Sequence, residues 1–175
     1  MRTHHRTCVA LTALAFLSAC AQAPVQVHGN DGDAAEVDAV LATMDRYLAA
    51  ISAKDHATMR SLDMPNSMTW SARPDASGAM VVGPRPSAYW SDPANDKGSA
   101  LQERYWNPTV FLRGPIAVVW APYEFKIDGK TSHCGVDVFD FVKVDGAWRL
   151  ANAMWTVEPK ACDGLRPTRG AAIRP

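Results

Sequence analysis

Little in this chain is extreme, and what it lacks narrows the field. Its 175 residues carry 18 basic and 18 acidic side chains. No basic patch or charge run appears, so the electrostatic footprint of a nucleic-acid binder is missing. Four cysteines are too few for a disulfide-dense scaffold, and no His or Cys spacing matches a zinc pattern. There is no Gly-x-Ser-x-Gly, phosphate-binding loop, dinucleotide fingerprint or His-Glu-x-x-His. The commonest hydrolase, nucleotide and zinc chemistries therefore lack support, and no cofactor or metal is indicated. No apolar stretch is long enough to span a bilayer, and no internal repeat is visible.

What is present begins at the N-terminus. Arg2 and Arg6 form a basic start, followed by an apolar stretch from Cys8 to Leu17. This is the layout of a signal peptide over residues 1–19. Leu17-Ser18-Ala19-Cys20 resembles the bacterial lipobox, which implies a lipid on Cys20 and a membrane-tethered protein outside the cytoplasm. The uncharged Ala21 resembles the pattern that sends such proteins to the outer membrane. The alternative is cleavage after Ala21-Gln22-Ala23 by the ordinary peptidase, with Pro24 poorly placed for it. Residues 20–32 read as anchor and flexible tether, 33–162 as one domain, and 163–175 as a tail expected to fray. After processing, Cys134 and Cys162 remain as the pair for one disulfide, or as two buried thiols.

Asp33 and Glu36 have the form of a capping box. Behind them Val37, Val40, Leu41, Met44, Tyr47, Leu48 and Ile51 fall at helical spacing, predicting a helix over 34–53. Asp55 can cap a second short helix to Leu62. Residues 67–73 alternate like a strand with 79–82 as its expected partner, while 84–92 reads as a short helix with Pro at its first turn. Segments 102–112, 116–127, 131–144 and 148–158 read as strands. Asp128-Gly129 and Asp145-Gly146 sit between apolar alternating runs as hairpin turns. Helices followed by a long antiparallel meander predict an α+β fold, with helices packed on one face of the sheet.

The run from Ala117 through Trp120-Ala-Pro-Tyr-Glu-Phe, Asp128-Gly-Lys, Ser132-His-Cys-Gly-Val-Asp-Val-Phe139 and on to Trp148-Arg-Leu resembles the nuclear transport factor 2-like superfamily. The likeness covers roughly residues 33–160 and is most distinctive in the last two hairpins. It implies a cone: a curved, mostly antiparallel sheet wrapped round helices to leave a pocket. Members include ketosteroid isomerase, scytalone dehydratase, polyketide cyclases and many non-catalytic binding domains, so the resemblance implies a fold and leaves function open.

Two-residue turns set registers. They predict Glu124 opposite His133, Pro122 opposite Gly135, Trp120 opposite Asp137, and Phe139 opposite Asn152. One face then carries Trp120, Glu124, His133, Asp137, Asn152 and Met154 among bulky apolar residues, as a wet pocket wall, with Trp90 nearby. The other face, with Tyr123, Phe125, Cys134, Val138, Ala153 and Trp155, is apolar enough to predict a homodimer through it. His133 and Asp137 are the candidate general acid–base residues. The bland readings are a cross-strand His133–Glu124 pair and an Asp137 neutralised by Arg104 or Arg113. The leading expectation is an envelope lipoprotein binding a small, partly apolar molecule without turnover. The alternatives are a cofactor-free isomerase, dehydratase or cyclase, and a dimeric interaction module.

Overall fold

The structure is a computed structural model that describes residues 26–28, 34–167 and 171–175. The signal sequence, Cys20, most of the tether and the expected cap Asp33 lie outside the described residues. Helix α1 (Ala34–Ala53) forms where the apolar residues recur every three or four positions. Its inward stripe of Val37, Val40, Leu41, Met44, Tyr47 and Leu48 is buried. Lys54 ends the helix with φ 55°. Asp55 then caps α2 (His56–Leu62), its carboxylate accepting from the Thr58 amide.

Nine strands follow one another round these helices in a single curled sheet: β1 (Gln26–His28), β2 (Asp63–Pro74), β3 (Met80–Pro86), β4 (Leu101–Trp106), β5 (Thr109–Arg113), β6 (Ile116–Ile127), β7 (Lys130–Val144), β8 (Ala147–Thr156) and β9 (Ile173–Arg174). The order is β1-β5-β6-β7-β8-β2-β3, with β4 beside the far half of β6 and β9 beside β4. The long hairpins are antiparallel, while β2 runs parallel to β8 and β1 parallel to β5. Helices in the concave face of a curved, mostly antiparallel sheet are the architecture the sequence predicts. The core lies between α1 and β4–β8.

Three local expectations are corrected. The stretch from Pro84 is not a helix: β3 continues to Pro86, and only a short 3-10 turn (Ser87–Tyr89) follows. Gly83 and Arg85 each precede a proline, which drives the backbone to the extended region, and a proline-rich strand is tolerated because β3 is an edge. The predicted 102–112 strand breaks into β4 and β5 at Asn107, whose φ is 46°, and Pro108. The tail does not fray throughout: helix α3 (Cys162–Leu165) and β9 dock it. Trp106 Nε1 donates to the Leu165 carbonyl at 2.7 Å, and Arg174 pairs with Asp45 on α1.

The Cys134–Cys162 disulfide fastens this strap to β7, with Cα atoms 5.0 Å apart. Beside it Glu124, only 1% exposed, receives bonds from Thr131 (2.6 Å), Arg104 (2.6 Å) and Arg166 (2.7 Å). Burial pushes its carboxyl upward, but these three donors outweigh that and hold it down to about 2.

Candidate functional site

Both Asp-Gly turns form as predicted, with positive φ at Asp128, Gly129, Asp145 and Gly146. Each hairpin then slips by one residue. In β6–β7 the pairs run Ile127–Lys130 and Lys126–Thr131, then Phe125–His133, so Ser132 is the extra residue of a bulge. In β7–β8 the slip falls at Ala151, between the pairs Phe141–Leu150 and Asp140–Asn152. A one-residue slip exchanges the faces of every partner beyond it.

The predicted pocket wall is thereby sorted into two groups. His133 and Asp137 face the concave side, but their companions are Tyr123, Phe125, Ala153 and Trp155, residues assigned from sequence to the outer face. Trp120, Glu124 and Asn152 lie on the convex side. Trp120 is 50% exposed, Glu124 is taken by the two arginines, and Asn152 donates to Asp140. No His133–Glu124 couple exists. Instead the half-buried His133 ring stacks on Phe125 at 5.2 Å and meets Tyr123 edge-on at 5.7 Å. Burial lowers its pKa, favouring the neutral imidazole. Trp90 lines the concave side: its ring meets Trp155 edge-on at 5.8 Å, and its Nε1 donates to Thr69 Oγ1 at 2.9 Å.

These side chains line a cavity of about 460 Å³ between α1, α2, the hairpin β2–β3 and the strands β4, β6, β7 and β8. Its wall is mainly aromatic and aliphatic, and its innermost polar groups are two acids. Asp137 on β7 is 3% exposed, and no N–H or hydroxyl reaches its Oδ2. The carboxyl of Glu103 on β4 is its neighbour, close enough for the two acids to interact. Two carboxyls can bond only through a proton. Burial above all, then the neighbouring Glu103, pushes Asp137 well above the usual carboxylate range. Burial likewise raises Glu103. The pair therefore holds a proton at pH values where an exposed acid is ionised. Arg104, a sequence-level candidate to neutralise Asp137, binds Glu124 instead.

Sequence reading missed Glu103, although a signal for it existed. Leu101, Glu103 and Tyr105 alternate onto one face of β4, so the acid stands between two apolar residues directed inward. Two further polar interactions lie nearby. Tyr47 of α1 reaches Asp63, whose carboxyl burial pushes up to about 6. At the mouth, Arg85 lies over the Tyr89 ring at 4.5 Å. Among the described residues no group of three or more His, Cys, Asp or Glu is arranged to hold a metal.

No family model matches the chain, and no curated protein matches it. In shape it is similar to a nuclear transport factor 2-like protein of unknown function from Shewanella baltica (TM-score 0.54, 18% identity, 75% of this chain and 100% of that one). It is also similar to one from Cytophaga hutchinsonii (TM-score 0.53, 18% identity, 70% and 98%). A third is a chain from Novosphingobium aromaticivorans described as the beta subunit of an aromatic-ring-hydroxylating dioxygenase (TM-score 0.58, 13% identity, 72% and 92%). The fold is thus the nuclear transport factor 2-like cone. At such identities the likeness extends to fold alone.

Proposed function

We propose that the domain is a receptor for a small, partly apolar, ring-bearing molecule. The observation that carries this reading is the cavity of about 460 Å³ with a proton-holding Asp137–Glu103 pair at its inner end. A volume of this order suits a drug-sized ligand, and aromatic walls with a few converging polar groups are how such sites recognise one. Trp90, Trp155, Phe125 and Phe139 supply flat contact. The carboxyl pair supplies acceptors for a hydroxyl. The same reading places the domain in the bacterial envelope, facing the periplasm, held by lipid on Cys20. Native mass spectrometry of the protein from its own periplasm tests the receptor role. A small molecule retained natively and lost on denaturation supports it. An empty protein whose tryptophan emission no aromatic ligand perturbs sinks it. Loss of acyl labelling in Cys20→Ser tests the anchor.

A second reading, proton transfer on the bound molecule, is favoured by one specific observation: Asp137 is a buried acid kept protonated beside a second acid in a ligand-sized cavity. In that case Asp137→Asn removes turnover while leaving affinity within a few-fold. In a receptor the same change alters affinity alone.

The convex face supports a third element, self-association. Pro84, Trp70, Met154, Val138, Trp120 and Thr109 stand in one row across six strands. Trp70, Trp120 and Met154 in this row are 40%, 50% and 39% exposed. A second copy of the chain would cover this row.

A further inference from the structure

The charges that line the cavity are unevenly distributed. Its acids are Asp96, Glu103 and Asp137, and its fixed cations are Lys54, Arg73, Arg85 and Lys97. Lys54 is used: it bonds Asp96 at 3.0 Å, and Asp96 also accepts from the Gly98 amide. Glu103 and Asp137 are used on each other. Arg73, Arg85 and Lys97 have no carboxylate partner among the described residues. All three sit toward the mouth, where Arg73 and Lys97 are exposed and Arg85 is half-buried.

Arg85 is the best placed of the three. It lies opposite Thr69 across the β2–β3 hairpin, on the cavity side. Its guanidinium rests over the ring of Tyr89 at 4.5 Å and faces that of Trp90 at 6.0 Å. Stacking on aromatic rings occupies the flat face of a guanidinium and leaves its edge N–H groups directed outward. A planar fork of donors, held flat and without an acid, is the usual arrangement for receiving a carboxylate, sulfonate or phosphate.

The two poles are separated by a definite span. Arg85 on β3 and Asp137 on β7 are three strand spacings apart, through β2 and β8. Arg85 stands in register with Phe139, two residues along β7 from Asp137, so a flat sheet would set the two about 16 Å apart and a curved one closer. The wall between them is Trp90 and Trp155, edge to face. An anionic group cannot sit at the inner end, where it would face two carboxyls in low dielectric. It can sit at the mouth. We infer that the molecule held in this cavity is an amphipathic anion. Its flat apolar body lies against Trp90 and Trp155, a single acidic group at one end is bound by Arg85, with Arg73 adding positive charge farther along the same wall, and a neutral oxygen at the other end meets Asp137 and Glu103. This deepens the receptor reading and rests on it.

Two fluorescent probes differing in one group separate the two ideas. 1-Anilinonaphthalene-8-sulfonate and N-phenyl-1-naphthylamine share a ring system, and only the first carries an acid. Titrating each into the intact soluble protein, the sulfonate is expected to bind at least tenfold more tightly. The double change Arg73→Gln, Arg85→Gln is expected to weaken it at least tenfold while moving the neutral probe less than twofold. Both positions are solvent-accessible, and circular dichroism checks that the variant folds. Trp120→Lys, which disrupts the convex apolar row, is expected to leave both titrations unchanged. The inference is overturned if the neutral probe binds as well as the sulfonate, if the double variant binds the sulfonate undiminished, or if Trp120→Lys removes the signal. If the neutral probe binds and the charge has no effect, the cavity remains a receptor with a different ligand. If neither probe binds, the receptor reading fails together with the inference.

Discussion

Glu103 and Asp137 interact although their strands do not touch: β6 runs between β4 and β7. Along β6 the two acids pair with Phe125 and Ala121, four residues apart. In a flat sheet that offset separates the backbones by roughly 16 Å, so it is the curl of the sheet that brings the carboxyls together. The fold thereby makes an inner polar site out of two residues that no local pattern connects.

A folded state that holds a proton on this pair is destabilised as pH rises. Both carboxyls have folded pKa values raised above their unfolded ones. Their stabilising effect is complete below the unfolded value near 4 and is lost as pH climbs toward the raised values. Glu124 acts oppositely, its contribution being lost only in acid, as pH falls toward about 2. Asp137→Asn is expected to gain stability relative to the native protein between pH 5 and pH 8, by more than about 1 kcal/mol over that interval. Urea denaturation at four pH values measures it. A constant difference between the two proteins across the interval would exclude a shared proton.

Helix α1 and the two Asp-Gly turns were legible from the chain, because each rests on local periodicity or on a two-residue signal; the cone came from the resemblance of the last two hairpins to a known superfamily, and the disulfide partners from the cysteine count. The site was only half legible. His133 and Asp137 were identified as types of residue, but their companions came out reversed. The turns set the register, and the bulges at Ser132 and Ala151 reset it. Neither bulge carries a glycine or proline to announce it. Glu103 escaped because its partner is distant in sequence and reached only through curvature. Arg85 escaped because Pro84 and Pro86 suggested a helix start when they in fact mark an edge strand.

Removing the Cys134–Cys162 bridge tests how far the docked C-terminal strap depends on it. The bond closes a loop of about 29 residues, which corresponds to roughly 3–4 kcal/mol on chain entropy. Cys134→Ser, Cys162→Ser is expected to lower the melting temperature by about 10 °C. Trypsin cleavage after Lys160 is expected to accelerate, because the Arg166–Glu124 pair, the Trp106–Leu165 bond and the Arg174–Asp45 pair must then hold the strap. An unchanged melting temperature would mean that the ion pairs and the Trp106–Leu165 bond suffice.

The row Trp70–Met154–Val138–Trp120 gives a prediction about assembly. Sedimentation over a hundredfold concentration range is expected to show a monomer–dimer equilibrium, abolished by Trp120→Glu. Trp155, which the sequence reading put on the outer face, lines the cavity and a change there would report on ligand instead. A native protein that stays monomeric throughout would leave the row to another partner.

Gly135 links the bent strand to the cavity. A Cβ at this position would lie 2.0 Å from the Thr156 carbonyl oxygen and 2.8 Å from Tyr123 Cε1. The oxygen cannot yield, since Tyr123 donates its hydroxyl to it at 2.7 Å, and the same residue's Oγ1 accepts from the Val136 amide at 3.0 Å. Any side chain therefore forces β8 away from β7 or tips the Tyr123 ring toward the acid pair. Gly135→Ala is expected to destabilise by about 3 kcal/mol and to weaken any cavity ligand. Gly83→Ala, where nothing lies within 4 Å and φ is ordinary for a strand, is expected to be neutral or slightly stabilising. Equal effects at the two positions would show that lost backbone freedom, and not the contact with Thr156, decides the outcome, and that Tyr123 is not wedged against the inner acids by the close approach of these strands.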